Sequence, residues 1–193
     1  MSTLVVACGA LAREVNGLIT AHGWDQMRLT CLPAKLHNHP HLIADALRKK
    51  ITAERQGDER VVVMYGDCGT TGAIDKVLEE FNATRIDGAH CYSFYAGEAD
   101  FNALMDEEPG SFFLTDYLVR QFDTLIMKGL GLDRFPQLMT EYFGNYKRLV
   151  YLSQTEDPKL DAEAEIAAGR LGLIYEKRST GLGDLAEFMA KVA

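Results

Sequence analysis

The residues of this chain best suited to chemistry are its cysteines and histidines. Cys8 closes LVVAC, Cys68 sits inside GDCGTTG, Cys91 follows His90, and His37, His39 and His41 alternate through LHNHPHL. Thiolate sulfur and imidazole nitrogen are the donors of tetrahedral zinc sites. A structural site closes with four of them, and a catalytic one leaves a position open. Cys8, His37 and Cys68 supply three such donors and Cys91 a fourth. No pair has the CxxC spacing of a zinc knuckle, so these residues can meet at an ion only if distant segments fold together. An ion in such a pre-built site serves function more than folding. Three or four thiols would equally suit iron or an iron–sulfur cluster. An extended LHNHPHL puts its histidines on one side as a chelating comb, whereas a loop leaves His39 and His41 to solvent. Cys31, inside RLTCLP, reads as a small buried hydrophobe. His22 and His90 read as structural.

GDCGTTG also offers a different chemistry. It joins the apolar run RVVVMY to the helical pattern GAIDKVLEEFN. Gly66, Gly69, Thr70 and Thr71 can present backbone N–H groups and hydroxyls to a phosphate or carboxylate at a helix N-terminus. The loop lacks the Gly-Lys-Ser/Thr of a P-loop, and Gly66, Gly69 and Gly72 are spaced three and three rather than as GxGxxG. Cys68 therefore either grips a metal or decorates a glycine-rich turn. Elsewhere, Thr115 and Asp116 read as a helix N-cap. Arg13 and Glu14 lie one turn beyond Cys8, and no serine sits on a nucleophile elbow, so no Ser-His-Asp arrangement arises.

The elements that must position these residues alternate between strand and helix. TLVVACG, MRLTCL, RVVVMYG, TRIDGAHCYSFYAG, RLVYLSQ and LIYEKRSTG read as strands. The segments between them read as helices, among them ALAREVNGLITAHG with Gly23 at its end and HLIADALRKKITAERQGD with Leu42, Ala46 and Ile51 on one face. Continuous apolar strands are those of a parallel sheet covered on both faces. The expected fold is α/β, a Rossmann-like three-layer sandwich with a mostly parallel sheet, in one domain spanning residues 1–193. The stretch 110–146, rich in Phe, Tyr, Leu and Met, reads as two helices around KGLGLD and as an aromatic insertion over a sheet edge. Ligands of open parallel sheets bind beyond the carboxyl ends of the strands. Cys8, His37 and Cys68 leave three different strands, and Cys91 lies inside or just after a fourth.

Composition sets outer limits. The chain has 193 residues, 47% of them hydrophobic, and a net charge of −8. Such an acidic balance argues against nucleic acid or an anionic membrane as partner. No apolar run approaches the roughly 20 residues that span a bilayer. The first residues lack the basic region of a signal peptide, so a cytoplasmic protein with unpaired thiols is expected.

The ordered set ACGALAREV, LPAKLHNHP, YGDCGT, HCYSFYAG and GSFFLTDYLVRQFD resembles the bacterial and archaeal family called domain of unknown function 1638, over nearly the whole chain. The resemblance implies that Cys8, His37, Cys68 and Cys91 are the recurrent cysteine and histidine positions. Genes of that family often lie near corrinoid-dependent methyltransferases, which implies a place in one-carbon metabolism and a zinc site that activates a thiol for methyl transfer. A corrinoid would then be held by a partner protein, since no DxHxxG motif occurs. Three readings follow. The first is a zinc-binding protein acting on a small-molecule ligand, with a methyltransferase-type activity. The second is a non-catalytic accessory protein docking onto a methyltransferase or corrinoid protein through residues 110–146. The third is a metal-free domain that binds a small anion in loop 66–72.

Overall fold

The computed structural model describes residues 2–193. The chain is α/β and Rossmann-like, with two parallel sheets flanked by helices. It forms two compact units, one comprising the chain to Phe94 together with Asp184–Ala193, the other Tyr95–Gly183.

The first unit is built from β1 (Thr3–Cys8), α1 (Ala12–His22), β2 (Met27–Leu32), α2 (Ile43–Glu54), β3 (Arg60–Met64), α3 (Ala73–Phe81) and the two-residue β4 (Thr84–Arg85), after which α4 (Ser93–Ala96) begins. The four strands are parallel, in the order β2-β1-β3-β4. Val5 stands opposite Leu29 on one side and Val62 on the other. Every residue of β1 is buried, as its unbroken apolar run requires when both faces are covered. The helices close over the sheet with Val15 and Leu18, with Ile43, Leu47 and Ile51, and with Ile74, Val77 and Leu78. Gly23 ends α1 in the left-handed conformation. The buried stripe of α2 begins at Ile43, one position later than the sequence predicts, because Pro40–Leu42 form a separate tight turn that leaves Leu42 exposed.

The second unit runs through α5 (Glu98–Glu107), β5 (Ser111–Thr115), α6 (Asp116–Arg120), a π-helical turn over Phe122–Lys128, α7 (Leu138–Phe143), β6 (Arg148–Ser153), α8 (Pro158–Leu171) and β7 (Ile174–Ser179). Its sheet is parallel too, in the order β5-β6-β7. The aromatic stretch thus opens with a strand, and its helices lie on either side of KGLGLD as expected. Thr115 caps α6, accepting from the Leu118 N–H at 3.4 Å, and Asp157 caps α8 with Pro158 at its first position. From Asp184 the chain returns to the first unit in α9 (Gly183–Val192), which buries Leu185, Met189 and Val192. Among the described residues, no helix is long and apolar enough to cross a membrane.

Candidate functional site

In the order β2-β1-β3-β4 the connections leaving β1 and β3 diverge, so the gap beyond their carboxyl ends is the topological switch point of the sheet. Cys8 is the last residue of β1, and Cys68 lies in the loop leaving β3. His37 lies in the turn after β2, and Cys91 in the segment after β4. The four residues picked out in the sequence therefore occupy four strand ends along one edge of one sheet.

Two of them meet, with Cys8 within electrostatic reach. The loop leaving β3 is laced to residues 88–91 by backbone bonds, Asp67 N–H to Gly88 O at 3.0 Å and Cys68 N–H to Ala89 O at 2.8 Å. Gly66 makes that approach feasible. A Cβ there would lie 2.8 Å from the His90 carbonyl carbon and 3.1 Å from the Cys91 nitrogen. As a result the Cys68 and Cys91 sulfurs are 3.5 Å apart, within S–H···S reach. Cys68 takes a left-handed backbone conformation, φ 49°, which a cysteine rarely adopts. Cys91 donating to the Cys68 sulfur holds the Cys68 thiol below its ordinary pKa and pushes Cys91 above it. Cys8, only 6% exposed, acts electrostatically on Cys91 and is acted on by Cys68, and burial pushes its own thiol up to about 11. Beside these thiols stands Tyr65, the residue after β3, which is 2% exposed. Its hydroxyl has no hydrogen-bond partner of ordinary geometry among the described residues. Burial, then Cys8, Cys91 and Cys68, push its ionisation far above the usual tyrosine value.

The glycine loop is organised around an anion of its own. Asp67 accepts from the Thr70 hydroxyl at 2.8 Å, the Thr71 N–H at 3.0 Å and the Gly72 N–H at 2.8 Å. Against the raising effect of burial, these donors hold the Asp67 carboxyl below its ordinary pKa. Donors that the sequence offers to an external phosphate are thus occupied by a side chain of the loop itself. Gly66 serves close packing, and Gly69, at φ 80°, lies against Pro40.

The histidines do not form a comb. Ala34–Asn38 and Pro40–Leu42 are short tight helical turns rather than extended chain, so the alternation that would align His37, His39 and His41 is absent. His39 and His41 meet edge to face at 6.1 Å. His37 Nε2 is 3.1 Å from the Tyr92 hydroxyl, and the crowding around its ring, then His90, lowers its pKa. Cys31, in β2, is half-buried. Among the described residues, no group of three or more His, Cys, Asp or Glu side chains is gathered closely enough to hold a metal ion as it stands.

Residues 31–189 match the family model described as protein of unknown function (DUF1638). The chain belongs to the DUF1638 family. His37, Cys68 and Cys91 lie within the matched span, and Cys8 precedes it. No curated protein and no solved structure matches this DUF1638 chain.

Two parts of the DUF1638 structure were not legible as functional candidates. Tyr65 ends a β-branched run and looks like core; only its place at a strand end beside GDCGTTG marked it. At the carboxyl ends of β5 and β6, Asp116, 1% exposed, accepts from the Tyr151 hydroxyl at 2.7 Å, the Gln154 N–H at 3.0 Å and the Thr155 hydroxyl at 2.6 Å. A buried carboxylate bonded this fully joins two strand ends, a role beyond the N-cap read from the sequence.

Proposed function

We propose that the protein binds a thiophilic metal ion, zinc in the first instance, at the carboxyl edge of the first unit's sheet, with Cys68 and Cys91 as the leading ligands and Cys8 as the third. The observation that carries this reading is the 3.5 Å separation of the Cys68 and Cys91 sulfurs. Two thiolates on tetrahedral zinc, each at about 2.3 Å, stand about 3.8 Å apart, so the pair is within a few tenths of an ångström of bridging spacing. Cys8, an electrostatic neighbour of both, would have to join the pair to complete three sulfur ligands. The Tyr65 hydroxyl supports the same reading: it is buried with no partner at ordinary hydrogen-bond geometry, and the Cys8 thiol is the neighbour that acts on it most strongly and is acted on by it in turn. His37, engaged with Tyr92, would join only by releasing it.

A zinc ion bound by two or three thiolates would act as a Lewis acid that lowers the pKa of an acceptor thiol. That chemistry fits the corrinoid-dependent methyl transfer implied by the resemblance, with a small thiol as the ligand. Around it the chain itself does three things. Gly66 lets the 88–91 segment close on the loop, Asp67 fixes that loop, and Tyr65 offers a hydroxyl that donates to a thiolate. The accessory-protein reading draws on a different observation, the exposed rings of Phe135, Tyr142 and Tyr146 in the second unit.

The test is elemental analysis of untagged protein purified without air or chelators, with zinc, iron and cobalt counted per chain. The expected result is close to one zinc, lost in Cys68→Ala and Cys91→Ala and reduced in Cys8→Ala. Iron in place of zinc would keep the ligands and change the ion. Wild-type protein that takes up no metal, or the same metal content in all three variants, would overturn the reading.

A further inference from the structure

We propose that Cys68 and Cys91 are also a redox pair that closes into an intramolecular disulfide on exposure to a hydroperoxide, withdrawing both thiols from the site. The consequence for the ion rests on the metal-binding reading; the pairing of the two sulfurs rests on geometry alone.

The sulfurs are 3.5 Å apart without a bond, and a disulfide needs about 2.05 Å, so they have only about 1.5 Å to close. The two segments are already held in place. Asp67 and Cys68 donate to the carbonyls of Gly88 and Ala89, and Gly66 lies flush against the His90–Cys91 peptide, so ring closure orders little further backbone. The chain loses little entropy on forming a bond whose ends are pre-positioned. The other two thiols are placed differently. Cys8 is buried at the end of β1, and Cys31 lies within β2.

The step balances as follows. The Cys68 thiolate attacks the peroxide oxygen, the O–O bond breaks, and Cys68 becomes a sulfenic acid as water or an alcohol leaves. The Cys91 sulfur then attacks the Cys68 sulfur, the S–O bond breaks, and a second water departs with the proton that Cys91 gives up. Two thiols and one hydroperoxide thus yield one disulfide, with the two electrons passed to the peroxide. Cys68 takes the first role because it sits on the loop leaving β3, with the Cys91 sulfur 3.5 Å away and placed to resolve it.

The experiment treats fully reduced, metal-free protein with one equivalent of hydrogen peroxide, alkylates the remaining thiols and maps every cysteine by peptide mass spectrometry. The expected product joins the Cys68 and Cys91 peptides with loss of two hydrogens, leaves Cys8 and Cys31 alkylated, and is reversed by dithiothreitol. In Cys91→Ser, Cys68 should stop at a sulfenic acid that dimedone traps. A disulfide that uses Cys8 or Cys31, or a Cys68 that neither pairs nor becomes sulfenic, overturns the proposal. The same treatment of zinc-loaded protein, read with a chromophoric chelator, should release the ion in step with disulfide formation. A disulfide in protein that never takes up zinc upholds the pair and removes the metal reading. Zinc uptake with no disulfide does the reverse.

Discussion

Tyr65 is the residue whose chemistry and packing pull in opposite directions. Its ring fills core at the end of β3, while its hydroxyl is buried among thiols without an ordinary partner. An unsatisfied buried hydroxyl costs about 1–3 kcal/mol, and removing the oxygen while keeping the ring relieves that cost. Tyr65→Phe should therefore leave the metal-free protein as stable as wild type, or up to about 1 kcal/mol more stable, in urea unfolding. If the hydroxyl serves a bound ion's ligands, zinc affinity should fall about 10- to 100-fold in a chelator competition, the usual effect of deleting such an outer contact. Opposite signs in the two measurements mark a group kept for binding. Loss of stability with unchanged affinity would make the hydroxyl an ordinary packing atom. Because burial and the neighbouring thiols push its ionisation upward, the hydroxyl stays a proton donor throughout the range in which the fold can be studied.

The loop leaving β3 carries the next prediction. Asp67 lies in the loop before α3 and accepts three hydrogen bonds from residues 70–72, so it holds two left-handed non-glycine residues, Cys68 and Thr71, in place. Asp67→Asn should cost about 1 kcal/mol near neutral pH, since the carboxylate's bonds to Thr70, Thr71 and Gly72 are charge-assisted and an amide's are not. The sign with pH follows from its lowered pKa. The contribution is fully present above the unfolded-state carboxyl value of about 3.9. It is lost as pH falls through the lower folded value. Wild type and variant should thus converge as the pH falls, and a gap that does not narrow at all from neutral pH into acid would show that the carboxylate charge is not what orders the loop. At this scale the sequence was legible wherever a β-branched run met a glycine, which is why Cys8 and Cys68 could be put at strand ends. It was less so where a short apolar run fits either period. Phe112–Leu114 of β5 were read as helix because their aromatic spacing continues into α6. TRIDGAHCYSFYAG pairs as strand only at Thr84–Arg85, since Gly88, at φ 141°, turns the chain into the contact with Asp67 and Cys68 that creates the thiol pair. The histidine alternation failed for a related reason. Pro33 and Pro40 start tight turns, and the extended backbone that the comb needs is missing.

Across the whole molecule, the core of the first unit draws on residues almost a hundred positions beyond its last cysteine. The first unit is discontinuous. Every cysteine lies at or before Cys91, yet its core includes Leu185 and Met189, each fully buried on α9. That return crosses all of the second unit in sequence, so the core of the unit carrying Cys8, Cys68 and Cys91 is complete only once both ends of the chain have been used. Leu185→Ala, a large-to-small change at a site with no exposure, should cost about 2–5 kcal/mol in chemical unfolding. The readout that ties this to the site is alkylation. Cys8, 6% exposed and with its thiol pushed up to about 11, should react slowest in wild type at pH 8 and should gain most in Leu185→Ala. The reason is that local opening of the first unit exposes a thiol whose protection comes from burial. If Leu185→Ala lowers stability while Cys8 alkylation keeps its wild-type rate, the C-terminal helix opens separately from the sheet, and the thiol site belongs to the segment before Phe94 alone.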